Sequence, residues 1–184
     1  MKESSQARGT RIAHRHCALF AALACLLSLV AHAAVGGESD LEAKVKAAYL
    51  FHLTKFVDWP TLPANEVRIC VIGSETVGGM MGELSTRQVR NRPLKIEVDN
   101  LTNPAACQVL FIGRGDRRLA EILRQVRGNG VLTVSDQDSF TRQGGMVGFY
   151  QEGGKIKLEI NPETARAVNL RISAKLLEVA RTVP

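Results

Sequence analysis

Three short apolar runs govern what this chain can become: VRICVIG at Val67–Gly73, CQVLFIG at Cys107–Gly113 and VLTVSD at Val131–Asp136. VRICVIG is rich in β-branched residues and reads as a strand buried on both faces, CQVLFIG reads as another buried strand, and VLTVSD gives the next strand. Such strands need helices above and below them. The sequence supplies helical stretches near Thr76–Ser85 and at Asp116–Val126, where Asp116 is the candidate N-cap and Gly128 the stop. LKIEV at Leu94–Val98 alternates apolar and charged residues and reads as a strand with one wet face.

A hairpin closes the sheet, because MVGFY and KIKLEIN flank QEGG, whose glycines permit a tight turn. A brief helical turn is predicted around Gln137–Thr141. Asn161-Pro162 then opens a C-terminal helix with a capping side chain and a proline at the first helical position. Asn169 is the candidate for a left-handed residue that interrupts this helix before Ser173–Ala180. The sum is an α/β single domain, a mixed central β-sheet of about six strands covered by helices, with an N-terminal amphipathic helix and a C-terminal helix.

The N-terminal helix, Leu41–Asp58, is apolar over more than one face. Positions 45, 48, 49, 53 and 56 form one stripe and 47, 50, 51 and 57 a second, with Lys44, Lys55 and Asp58 as a thin wet seam and Pro60 as the stop. A second apolar stripe needs a second surface to meet. Which stripe faces the core stays open at this level.

Residues 1–33 read as a signal peptide. Lys2, Arg8, Arg11 and Arg15 precede a 13-residue apolar stretch, Ala18–Val30, and Ala31-His32-Ala33 gives a small-x-small cleavage pattern. A periplasmic location follows, with residues 34–40 as a flexible mature N-terminus and 41–184 as the folded domain. The leader holds four of the 24 basic residues and one of the 18 acidic ones, which leaves the remainder at +3. With no basic run interleaved with aromatics, nucleic acid is set aside as a partner.

Chemistry is scarce. Of four histidines, His14, His16 and His32 lie in the leader, so only His52 remains, and no His-based metal site or catalytic triad can be assembled around it. Gly73–Gly79 and Gly113–Asp116 sit where phosphate loops occur but lack the residues that complete such motifs, so tight strand-to-helix turns are the better account. Asp136 and Asp138 read as capping residues. No enzyme activity and no cofactor are expected. Cys70 and Cys107 remain after export, an even count in an oxidising compartment; a disulfide and two buried thiols on neighbouring strands are both open readings. On the KIKLEIN strand, Ile156, Leu158 and Ile160 point one way, and Lys157 and Glu159 form an opposite, open face.

KAAYLFHLTKFVDWP, RICVIG, CQVLFIG, GVLTVSD, QGGMVGF and LEINPETARAVNLRISAKLLEVA, in this order and spacing, resemble the signature blocks of the periplasmic YfiR family. The resemblance runs from about Ala43 to Ala180. It implies a non-enzymatic regulator that forms a homodimer and binds the periplasmic sensor part of an inner-membrane diguanylate cyclase. Repression of the cyclase would lower cyclic-di-GMP and biofilm formation, and an outer-membrane lipoprotein of the same system would sequester the regulator. The resemblance makes a Cys70–Cys107 disulfide more strongly expected, whereas a second cysteine pair found in some members is missing from Gly144–Gly154.

On this reading one stripe of the first helix, with Tyr49, Phe51, His52 and nearby Trp59, meets a second subunit or partner. The cyclase contact is assigned to the C-terminal hairpin and helix through Phe149, Glu159 and Leu170. The rival reading is a periplasmic small-ligand sensor acting on another membrane receptor, which would need an apolar pocket with a few converging polar groups.

Overall fold

The three apolar runs become adjacent parallel strands at the centre of an eight-stranded sheet. The computed structural model describes residues 39–63 and 65–184; the expected signal peptide, with Cys17, Cys25, His14, His16 and His32, lies outside them. In chain order the elements are α1 (Asp40–Phe56), β1 (Val57–Asp58), β2 (Val67–Ile72), α2 (Glu75–Gly82), β3 (Gln88–Val89), β4 (Arg92–Val98), β5 (Val109–Ile112), α3 (Leu119–Val126) and β6 (Leu132–Ser135). They continue with β7 (Val147–Glu152), β8 (Lys155–Ile160), α4 (Pro162–Arg166), β9 (Arg171–Ile172), α5 (Ala174–Glu178) and β10 (Arg181–Thr182).

Strand order across the sheet is β10-β8-β7-β6-β5-β2-β4-β3, with β1 and β9 forming a separate two-stranded ribbon. Strands β4, β2, β5, β6 and β7 run parallel, and β8 returns antiparallel to β7. The mixed sheet is therefore as the sequence indicates. Its six longer strands are the expected ones, and β3 and β10 are two-residue additions at the two edges.

Alternation along the buried strands divides the core in two. Ile69, Val71, Val109, Phe111, Leu132 and Val134 face one side, which α1 and α2 cover. Cys70, Ile72, Leu110 and Ile112 face the other, where Ile122 and Val126 of α3 close over them. The Cys70–Cys107 disulfide lies in this second layer and joins β2 to the segment entering β5, with Cα atoms 6.0 Å apart. Residues 38–184 form one compact unit containing both layers.

Several boundaries differ from the sequence reading for identifiable reasons. Helix α1 opens at Asp40, with Ser39 Oγ accepting the Glu42 amide, and ends at Phe56 rather than Asp58. Val57 and Asp58 turn extended and pair antiparallel with Ile172 and Arg171, a long-range contact that no local pattern announces. Helix α3 starts at Leu119, three residues after Asp116, because the Asp116 carboxylate accepts from the amide and guanidinium of Arg118 in a preceding turn. The short turn after β6 falls at Phe140–Gln143 instead of Gln137–Thr141.

The expected C-terminal helix is two five-residue pieces, α4 and α5. Asn161 Oδ1 caps α4 through the Thr164 amide with Pro162 at the first turn, and Asn169 takes φ of 62° as the left-handed break. The chain then forms β9, restarts at the Ser173 cap and leaves as β10 alongside β8.

Candidate partner-binding surface

Helix α1 carries its surface in a single row. Ala43, Ala47, Leu50, Phe51, Leu53 and Thr54 are buried toward the sheet and α2. The outward row is Leu41, Val45, Ala48, His52 and Phe56, at the spacing of one helical face. Leu41 is 73% exposed and Phe56 37%, two of the four large hydrophobic residues exposed among the described residues. Lys44 and Lys55 flank the row. The 47/50/51/57 stripe therefore faces the core, and part of the 45/48/49/53/56 stripe faces outward; Leu53 belongs to the core.

The residues singled out on this helix divide accordingly. His52 is exposed. Phe51 is buried, with Lys55 Nζ 4.5 Å from its ring centre and the His52 ring 5.7 Å away. Tyr49 is half-buried and rests on Phe149, ring centres 5.8 Å apart, which in turn lies 6.1 Å from Phe111. Phe149 thus stands in the core as support under Tyr49 and offers no surface of its own.

Leu170 is also core, and it lines the floor of a groove with Trp59. This groove encloses about 790 Å³ beside the β1–β9 ribbon, and Asp58, Arg166, Asn169 and Arg171 complete its walls. The Trp59 Nε1 donor is buried without a hydrogen-bond partner among the described residues. Arg90, held at φ of 51° in the β3–β4 turn, fixes the ribbon from beneath: its Nη2 donates to Val57 O at 2.9 Å and to Asp58 Oδ1 at 2.6 Å. Trp59 and Leu170 are brought together here, whereas Tyr49 and Phe149 meet at the helix–sheet contact.

Glu159 is less open than the strand alternation suggests. Its Oε1 accepts from Thr141 Oγ1 and its Oε2 lies 3.4 Å from Arg181 Nη1. Arg181 also stacks over Tyr150, 4.0 Å from the ring centre, and reaches Glu152 at 3.5 Å. The correction has a simple cause: β10, unforeseen in the sequence, lies beside Glu159 and covers it, while Lys157 stays exposed.

Lys46 escaped the sequence reading altogether. It sits on the inward arc of α1, where its ammonium contacts Asp136 Oδ2 at 2.5 Å and Glu42 Oε1 at 2.8 Å. A lysine between Ala43 and Leu50 on a core-facing stripe was the available signal, since a buried ammonium requires a carboxylate. Asp136 is thus an ion-pair partner for α1 rather than a helix cap. The Gly73 and Gly113 turns pack against each other: a Cβ at Gly113 would stand 2.2 Å from Gly73 O. The glycines stand at strand-to-helix turns, as the sequence reading prefers, and there also allow this close backbone approach. Beside them, the Arg118 guanidinium hydrogen-bonded to Asp116 holds that carboxyl below its usual range, and Arg68 does the same for Glu66.

Among the described residues, no three His, Cys, Asp or Glu side chains group as a metal site, and no helix is long and apolar enough to cross a membrane. The family profile described as YfiR/HmsC-like matches residues 43–181, a span that takes in most of α1, strands β1 to β9 and the groove. On that match, the chain belongs to the YfiR/HmsC-like family.

Proposed function

We propose that this protein is a periplasmic regulator, exported by a signal peptide at residues 1–33, that binds the sensor part of an inner-membrane diguanylate cyclase and represses it. Family membership supports the regulatory role. The observation that carries the binding role is the row Leu41, Val45, Ala48, His52 and Phe56, an apolar face on a helix whose opposite side already fills the core. One such row serves self-association as a homodimer or contact with the cyclase. The polar end of the hairpin, where Glu159 and Arg181 meet, serves the second contact, and an outer-membrane lipoprotein competes for one of the two.

The test is recovery of the cyclase from detergent-solubilised membranes with residues 38–184 as bait, together with cyclic-di-GMP measured in cells. Phe56→Glu should lose the cyclase or the dimer and raise cyclic-di-GMP. Normal capture and full repression by this variant would remove α1 from the account.

A second reading, a small-ligand sensor, is favoured by the groove. Trp59 supplies an aromatic wall, and Arg166 and Arg171 supply cations for a carboxylate or phosphate. A thermal shift on adding anionic metabolites, abolished by Arg171→Ala, supports it; no shift across such a panel would count against it.

A further inference from the structure

The described residues carry 20 basic and 16 acidic side chains, and their excess is not spread evenly. Residues 114–127 hold five arginines, Arg114, Arg117, Arg118, Arg124 and Arg127, against only Asp116 and Glu121. Three of the four net positive charges therefore sit in fourteen residues, on α3, the turn before it and its C-cap. Arg118 is bound to Asp116, Arg124 to Glu121, and Arg114 lies 3.5 Å from Asp138. Arg117 and Arg127 are exposed and have no carboxylate partner among the described residues.

We infer that α3 and the arginine-bearing turns at its two ends dock on an anionic phospholipid surface, leaving the α1 face on the opposite side of the sheet free for a protein partner. The chemistry of the face selects this occupant. Its exposed residues from 114 to 129 are Arg, Gly, Ala, Glu, Gln and Asn, and none of the exposed large hydrophobics, Leu41, Phe56, Val98 and Val179, belongs to it. Arginine also anchors protein contacts, but there it works beside buried aromatic side chains, and none of the exposed residues of this face is aromatic. A field of phosphates needs only charge, and guanidinium groups bind phosphate oxygens in pairs. The layering supports the division of labour: α3 packs on the Cys70/Leu110/Ile112 side, and α1 with α2 on the Ile69/Phe111/Val134 side. This inference does not require the cyclase assignment, only an anionic bilayer.

The experiment is cosedimentation of residues 38–184, which contain the whole core, with vesicles of phosphatidylcholine alone or mixed with about one third phosphatidylglycerol. Binding is expected only to the anionic vesicles and should fade as salt rises from about 0.05 to 0.5 M. Arg117→Glu combined with Arg127→Glu should weaken it about thirtyfold or more at an unchanged melting midpoint, and Arg117→Gln with Arg127→Gln should weaken it less. Equal binding to neutral vesicles, no binding to anionic ones, or full binding by the reversed variant would each overturn the inference. So would loss of an acidic protein partner by that variant without any vesicle binding by the parent.

Discussion

Lys46 on α1 and Asp136 at the end of β6 form a buried ion pair 2.5 Å long, with the lysine side chain only 3% exposed. It joins the helix that carries the proposed interface to the carboxyl edge of the sheet. Because the pair is out of water, removing Lys46 strands the Asp136 carboxylate, whereas removing Asp136 leaves the ammonium its contact with Glu42. Lys46→Ala should cost about 3–5 kcal/mol and Asp136→Ala less, since Glu42 still faces the ammonium. Lys46→Met combined with Asp136→Leu should lie much closer to the parent, since no charge is left buried. Urea denaturation of the four proteins checks this, and a double variant as unstable as Lys46→Ala would contradict it.

Two turns at the carboxyl edge leave no room for a side chain. At Gly113 a Cβ would meet Gly73 O at 2.2 Å, and at Gly73, where φ is 71°, it would meet Asp116 Oδ2 at 2.9 Å. Gly113→Ala must push backbone against backbone and should be the more damaging, by about 2–4 kcal/mol. Gly79, with open space around its Cβ position, should tolerate alanine and gain helix stability of up to about 1 kcal/mol. Thermal midpoints of the two alanine variants should move in opposite directions.

The contrast between those glycines shows where the sequence was readable. Glycine or asparagine at a turn, a proline after a cap and a β-branched run each announce themselves over a few residues, and so the hairpin around Gly153-Gly154, the α4 cap at Asn161 and the central strands were legible. Contacts made only in three dimensions were not. The pairing of Val57 with Ile172 and of Arg181 with Glu159 joins residues more than twenty positions apart, through strands two residues long. Such strands have no periodicity to detect. The same holds for the candidate surface: His52 and Phe56 could be placed on one helical face, but which face was wet depended on where α1 docked. Phe149 and Leu170, which the sequence reading assigns to the cyclase contact, are core residues, and an apolar side chain in sequence suits either place.

Asp116 gives the fold a dependence on acid. Its side chain is 5% exposed and accepts from Arg118 at 2.7 Å, and its folded pKa lies below the ordinary carboxylate value. A depressed folded pKa stabilises the fold above the unfolded pKa, near 4. That contribution is lost as pH falls through the folded value. Stability should therefore be flat in this respect from pH 7 to about 5 and decline below about 4. Asp116→Asn should be less stable than the parent at pH 7, with the gap closing in acid. A gap that stays constant from pH 7 to pH 2 would show that the charge of Asp116 contributes nothing.

The disulfide should act on the unfolded chain. Cys70 and Cys107 are 37 positions apart, and closing a loop of that size restricts the denatured ensemble by about 4 kcal/mol in the chain-entropy account. Urea midpoints with and without reductant should differ by that much, and Cys70→Ala combined with Cys107→Ala should match the reduced parent. Because both sulfurs lie in the α3 layer, away from α1, reduction at a temperature where the fold persists should leave partner capture intact.

The outward row of α1 makes the sharpest functional forecast, because its members contribute little to the monomer. Leu41, Ala48, His52 and Phe56 are all exposed. Leu41→Glu should leave the unfolding free energy within about 0.5 kcal/mol of the parent, and Phe56→Glu, where the residue is 37% exposed, should lower it by about 1–2 kcal/mol. In a protein contact, an aromatic such as Phe56 commonly contributes about 2 kcal/mol or more, so the same change should weaken association at least about thirtyfold. Phe51→Ala must do something different: it opens a cavity under the helix and should cost about 3–5 kcal/mol of stability. Sedimentation velocity for self-association, cyclase capture from membranes and urea titration, run on Phe56→Glu and Phe51→Ala together, separate a surface role from a structural one. If Phe56→Glu associates like the parent in both assays, the row is merely solvated and the interface lies elsewhere.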